Sequence, residues 1–427
     1  MDADVASESP GLNLRMRTLL ETVIRGLLIG YVAVLPFKPL LVLERNGFLV
    51  LLGLLLIWCA LNRKLFYVRT PYDPMLLAFV LWVGVTLPFA VSPPYSLKEY
   101  GKLLQHMVVF YAALHFLREC RYQQALFSAV GAVTVVVAGY GLTQFDPANG
   151  QAVKSFFPSE VWLTTFLVMV FPFAFVLPFG EGPPILRGWA VVVSILTASC
   201  LVITQSRAGL LAFLIELWVL AWLLRSPKAG IVAGVATACA LAALLFAAKV
   251  DFNKGADPLR DARTSIPVQT SISSVIHRFD IWGFTLSEIG KHGLVGIGYG
   301  AHSYLFLYGQ EQEAVTAGHA PVKRAGTHNI FLYLALHVGL PGMLLFGWLY
   351  YSLIARTVKE HDTARHWIQK SVLAGSVGSL VGLLCRLQFD QMLVGSLAVF
   401  FWVLLAVAVL QYSPTDNGIA PQAAGPS

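Results

Sequence analysis

The polarity of the chain alternates in long blocks rather than residue by residue. Apolar runs bounded by charges, Pro or Gly fall at 23–37, 47–61, 74–91, 102–117, 123–143 and 160–180. Six more fall at 185–205, 208–224, 229–249, 329–354, 367–386 and 391–411. Such runs approach the roughly 20 residues that carry a helix across a bilayer. They predict an all-α polytopic membrane protein with about twelve transmembrane helices. Several runs fall short of a full span, so amphipathic ends must complete them.

The blocks divide the chain into an N-terminal bundle of about nine spans (1–249), a long loop (250–328), about three further spans (329–412) and a tail (413–427). The loop begins with the polar stretch NKGADPLRDARTSIPVQTS. It continues with SISSVIHRFDIWGFTLSEIG, whose apolar residues at 272, 275, 276, 279, 282, 286 and 289 fit an amphipathic helix over about 271–289 with one apolar stripe. Such a helix either lies on a membrane interface or caps the bundle. No internal repeat and no pair of broken helices is visible in the sequence, which argues against a secondary transporter.

Composition supports this reading. Of the 427 residues 57% are hydrophobic and 12% charged, with a mean hydropathy of +0.68. Soluble domains carry about twice that share of charge. The net charge of +7 is a matter of topology rather than of nucleic-acid binding. With the N-terminus inside, the inner segments hold 14 Lys and Arg residues, from Arg15 to Lys370. The short outer loops hold 7: Lys38, Arg45, Lys98, Lys102, Lys154, Arg207 and Arg386. The positive-inside rule therefore places both termini in the cytoplasm and the long loop on the outer face. Arg25, near the inner end of the first span, is expected to snorkel to the headgroups. The N-terminal MDADVASESPGLNL has no apolar core of a cleaved signal. The five cysteines show no CxxC spacing and sit in or beside apolar runs, as small buried hydrophobes.

The candidate chemistry lies on the outer face. In GTHNIFLYLALHVGLPG, residues 326–342, His328 and Asn329 open an apolar run, with Gly326 and Thr327 as entry and cap residues. A histidine in the first helical turn meets the positive end of the helix dipole, which favours the neutral imidazole of a general base. The plain alternative is a solvated polar helix start. His337 lies nine residues on. In a continuous helix it points to the opposite face about 13 Å away, as a packing residue before the Gly339–Gly342 turn.

In TQSRAGL, residues 204–210, Ser206 can cap the following helix, leaving Arg207 and free N–H groups as an anion site. Arg278 lies on the amphipathic outer helix. Two arginines and a histidine are the least that a phosphate-bearing substrate needs, although each also reads as an ordinary surface residue. Further outer charges are Lys38, Lys98, Lys102, and Arg386 with Asp390, whose i, i+4 spacing suggests a simple ion pair. Glu216 is a lone mid-span carboxylate that needs a partner. GIGYG, residues 296–300, follows an amphipathic helix rather than a strand and reads as a loop, not a dinucleotide fingerprint.

Together these elements resemble the O-antigen ligase and polymerase superfamily. The resemblance rests on His328 and Asn329 followed by Gly339-x-x-Gly342, on the turn Ser206–Gly209, and on Arg278 to Trp282 followed by GIGYG, in that order over residues 190–345. It implies a membrane glycosyltransferase of the C type without metal or cofactor, acting in a bacterial inner membrane. The implied donor is O-antigen on undecaprenyl pyrophosphate, and the implied acceptor is a sugar hydroxyl of lipid A–core. His328 would be the base, and Arg207 and Arg278 the pyrophosphate clamps. By analogy of position, Lys38, Lys98, Lys102, Asn329, Arg386 and Asp390 become lesser binding candidates. Alternatives are an O-antigen polymerase, a protein O-oligosaccharyltransferase or, outside the enzymes, a lipid-linked glycan transporter.

Overall fold

The computed structural model describes residues 10–146, 152–253, 270–309, 322, 326–391 and 393–412. The acidic N-terminal residues, the polar first part of the long loop over 254–269 and the C-terminal tail lie outside them. Among the described residues the regular structure is all helical: α1 (Pro10–Val34), α2 (Leu41–Asn62), α3 (Asp73–Thr86), α4 (Pro93–Phe116), α5 (Cys120–Thr143), α6 (Glu160–Val176) and α7 (Pro184–Ile203). These are followed by α8 (Arg207–Leu224), α9 (Pro227–Asn253), α10 (Thr270–His292), α11 (Ser303–Tyr308), α12 (Ile330–Thr363), α13 (Trp367–Leu387) and α14 (Gly395–Leu410). Each of the twelve apolar runs coincides with one helix, and α10 is the amphipathic one. Among the described residues six helices are long and apolar enough to cross a membrane: α5, α6 with its 3-10 extension to Phe179, α7, α8, α12 and α13. Shorter apolar stretches lie in α2, α3, α9 and α14.

Local signals explain most boundaries. Proline opens α4, α7 and α9, where its fixed φ and missing N–H cost nothing. Ser206 caps α8, its Oγ accepting from the Gly209 N–H at 3.2 Å. α6, α13 and α14 are buried on nearly every side and form the centre of the bundle. Close approach to α13 uses its small residues: Gly375 faces Phe173, Gly378 faces Pro172 and Leu220, and a side chain at Gly382 would overlap Glu216. The pairs Gly378–Leu220 and Gly382–Glu216 also show that α8 and α13 run antiparallel. Glu216 is fully buried, and neither carboxylate oxygen has a hydrogen-bond partner among the described residues.

α12 is not one continuous helix. At Gly339 the backbone adopts φ 76° and ψ 168°, and Pro341 follows, so helical bonding is interrupted. The freed carbonyls find partners in the GIGYG loop. The Ile297 N–H donates to Leu336 O at 2.8 Å and the Gly298 N–H to His337 O at 3.0 Å. The Trp82 indole of α3 donates to Val338 O at 2.7 Å, and the Leu340 N–H donates to Gly293 O at 2.7 Å. Gly296, with φ 75°, lies so close to the His337 carbonyl that no Cβ fits, and Gly339 is pressed equally hard on the Leu294 carbonyl. His337 is buried within this joint. Its ring stacks on Tyr333 at 4.0 Å and its Nδ1–H donates to Tyr333 O at 2.8 Å.

Three expectations need correction. The apolar stripe predicted for α10 is split: of its described side chains Phe279 and Leu286 are exposed and Ile289 is buried, and the packed face adds Ile281, Thr285 and Glu288, which the stripe did not include. Phe284 and Ile289 join Tyr304, Tyr308, Ala335 and Leu336 in a second core over the first turns of α12. α10 thus caps the bundle with one face and presents apolar side chains with another. Arg25 does not snorkel. It is held by Glu21, Glu119 and the Phe116 carbonyl. Of the cysteines only Cys200 is buried, and Cys120 and Cys239 are exposed.

The joint in α12 makes a direct prediction. Gly339→Ala places a Cβ where only glycine fits, in a backbone region that costs about 1–3 kcal/mol for other residues. The unfolding midpoint in detergent should fall sharply. Gly26→Ala, at an exposed helical position with nothing within 4 Å of the added methyl, should leave it unchanged or raise stability by up to about 1 kcal/mol.

Candidate active site

The segment entering α12 and the turn between α13 and α14 are knitted together residue by residue. Asn329 is the helix cap, its Oδ1 accepting from the Phe331 and Leu332 N–H groups at 2.9 and 3.1 Å. The cap is therefore Asn329 rather than Thr327, because an Asn side chain one residue later reaches two free amides at once. Asn329 Nδ2 donates to Gln388 Oε1 at 3.1 Å. Thr327 Oγ1 donates to Gln391 Oε1 at 3.2 Å. His328 then precedes the helix instead of standing in its first turn, in a left-handed conformation with φ 46°.

That conformation turns the ring toward Asp390. His328 Nδ1 lies 2.8 Å from Asp390 Oδ1, and Arg386 Nη1 donates to Asp390 Oδ2 at 2.9 Å. The pair Arg386–Asp390 is thus more than a simple i, i+4 ion pair: it is the base of a three-residue relay. Arg386 is 1% exposed, Asp390 14% and His328 34%, so only the imidazole end of the relay reaches solvent. Burial alone would raise the Asp390 pKa, but the hydrogen bond from His328 and the charge of Arg386 outweigh it and hold the carboxyl below its usual value. An ionised Asp390 can only accept, which assigns the shared proton to His328 Nδ1 and places Nε2 at the free end of the relay.

Arg278 of α10 joins the same turn, its guanidinium lying over the Phe389 ring at 5.6 Å. Arg207 is exposed at the first position of α8. From the antiparallel contacts, Arg207 lies nine residues above Glu216 and Asp390 eight above Gly382, so both stand at the same end of the bundle. Among the described residues neither Arg207 nor Arg278 forms an ion pair.

The lesser candidates separate. Lys102 is paired with Glu99 at 2.7 Å and, with Tyr95, His302, Trp162 and Gln391, lines the mouth of a cavity of about 330 Å³. The cavity descends between α3, α4, α12 and α14 to the apolar side chains of Phe346, Leu349, Phe401 and Trp402. Lys98 is exposed on α4 and does not line it. Lys38 is also exposed, its backbone N–H donating to Phe156 O at 3.2 Å. Sequence reasoning missed Gln388, Phe389 and Gln391 as site residues. Their only signal was a dense polar cluster, RLQFDQ, between two apolar runs. It also missed Glu99, Tyr95 and His302, which reach the cavity because Gly298 and Gly300 let the GIGYG loop lie against the start of α4.

The family model described as O-antigen ligase matches residues 192–347. Over that segment the chain is similar to the O-antigen ligase family. The match takes in Arg207, Arg278, GIGYG, His328 and the Gly339–Gly342 break, while Arg386 and Asp390 lie beyond it. No curated protein matches the chain. Among the described residues no group of three His, Cys, Asp or Glu side chains is arranged to hold a metal ion.

The relay predicts a specific pH response. Asp390→Asn leaves the buried Arg386 without its countercharge, a loss of about 3–5 kcal/mol when a buried pair is broken. Because the folded-state pKa of Asp390 is depressed, its contribution is complete above its unfolded value of about 3.9 and fades as pH falls through the folded value. The difference in unfolding midpoint between wild type and Asp390→Asn should therefore be constant near neutrality and shrink below about pH 4. A difference that persists unchanged at pH 3 would remove the carboxylate charge from the account.

Proposed function

We propose that this protein is an O-antigen ligase, transferring glycan from undecaprenyl pyrophosphate to a sugar hydroxyl of lipid A–core. The observation that carries the reading is the His328–Asp390–Arg386 relay, set among Arg278 and Arg207 within and beside the region matched to the family. The acceptor hydroxyl oxygen attacks the anomeric carbon while the bond from that carbon to the pyrophosphate breaks. The hydroxyl proton passes to His328 Nε2, and undecaprenyl pyrophosphate leaves with the bonding electrons. One displacement inverts the anomeric configuration. Arg207 and Arg278 bind the pyrophosphate and neutralise the charge that builds on it. Asp390 stabilises the imidazolium and fixes the ring, and Arg386 holds Asp390 ionised.

The cavity beside Gln391 is polar at its mouth and apolar below, a form suited to the lipid-bearing end of a substrate. In this reading all twelve apolar helices cross or enter the bacterial inner membrane, with both termini cytoplasmic and the site on the periplasmic face. The exposed Phe279 and Leu286 of α10 then rest on the outer interface.

Expression in a Gram-negative strain that makes O-antigen but lacks its own ligase, with matched core chemistry, tests the proposal. Wild type should build ladders on lipid A–core, and His328→Ala should lower transfer by about 10²–10⁴-fold, the usual contribution of a general base. Ladders undiminished in His328→Ala would remove it as the base. A normally expressed wild type that lengthens lipid-linked glycan without building ladders would instead be a polymerase.

A further inference from the structure

In the other half of the molecule a void of about 460 Å³ lies between α5, α6, α7 and α13. Phe127, Val130, Phe173, Val193, Val372 and Leu404 form its apolar wall. It surrounds the start of α13, whereas the relay stands at the other end of that 21-residue helix, about 30 Å away. Trp189 and Trp367 flank the void, and the Trp367 ring is wedged against Gly182 of the turn between α6 and α7. Paired indoles at the end of apolar helices mark a headgroup level.

Arg187 does not itself line the cavity, but its chain neighbour Leu186 does. Arg187 Nε donates to Pro178 O at 3.2 Å, which places its exposed guanidinium next to Leu177, a residue of the cavity wall. Exposed Arg365 and Lys370 flank Trp367 in the chain, set against Glu181 on the neighbouring turn. On α5, Gly131 lines the void, and a Cβ there would meet only the Trp189 indole nitrogen at 3.9 Å. Gln124, Ser128 and Ser371 are the polar side chains of a lining that is otherwise mostly apolar.

We propose that this cavity binds one acyl chain of an anionic glycerophospholipid, with the headgroup phosphate on Arg187. The apolar wall selects the chain, the indoles set its depth, and the guanidinium selects the charge. The site is separate from the transfer chemistry and does not depend on it.

Native mass spectrometry of the full chain in detergent, titrated in turn with phosphatidylglycerol and phosphatidylcholine, tests this. Wild type should retain one phosphatidylglycerol. Gly131→Phe and Ser128→Phe fill the void from the same helix and should each weaken retention of both lipids by about tenfold or more. Arg187→Gln should weaken both lipids, phosphatidylglycerol by about fivefold and phosphatidylcholine less, because both carry the phosphate and only phosphatidylcholine has an ammonium beside it. Undiminished retention in whichever cavity-filling variant elutes as a monodisperse protein would overturn the site, as would absence of a retained lipid in the wild type. Unchanged retention of both lipids in Arg187→Gln would overturn the phosphate assignment.

Discussion

The half of this structure that holds the site depends on how one broken helix is mended. Interrupting an apolar helix at Gly339 frees backbone carbonyls in surroundings where each unsatisfied group costs several kcal/mol. The GIGYG loop supplies two N–H groups, the Trp82 indole a third, and Gly293 accepts the Leu340 N–H. Two glycines allow this because each lies against the other segment's backbone with no room for a side chain. The glycine motifs on the two segments are therefore two halves of one joint. It fixes the angle of the short helix that leads back to Asn329 and His328. Through Gly298 and Gly300 it also fixes the position of α4 beside the cavity.

With that helix anchored, the turn after α13 completes the site. Of the six residues Arg386 to Gln391, all but Leu387 contact an element of the site through a side chain. The arrangement has a clear electrostatic logic. A buried arginine is costly alone, and a buried aspartate is costly alone, but together they offset much of that cost and leave one carboxylate oxygen for the imidazole. Asn329 and Gln388 tie the two segments by neutral hydrogen bonds, so the charged relay does not have to hold the chain in place. The two tasks fall to different residues.

Much of this was legible in the sequence, and the limits have physical causes. Twelve apolar runs identify twelve helices because a helix of that composition has few other ways to satisfy its backbone. Ser206 as the cap of α8 and His337 as a packing residue followed from local patterns. The link from His328 to Asp390 did not, since those residues are 62 apart and no periodicity connects them. The break in α12 was half legible. Gly339 and Pro341 signal an interruption, but the loop that mends it is forty residues upstream. The stripe on α10 misled because Glu288 is buried through partners, a hydroxyl from Tyr308 and the Lys291 ammonium, that a hydrophobic pattern cannot see.

The three arginines of the site show why residue type alone could not assign their roles. Arg386 is fully buried and bound to Asp390, so its charge is already matched and its donors point inward. Arg278 lies half-buried over an aromatic ring, an arrangement that orients a guanidinium without using its hydrogen-bond donors. Arg207 stands exposed beside the free amides of a capped helix. A group that must bind a pyrophosphate needs donors still available when the ligand arrives. By that criterion Arg207 and Arg278, rather than Arg386, meet the requirement of the proposed reading, because the Arg386 donor is already held by Asp390.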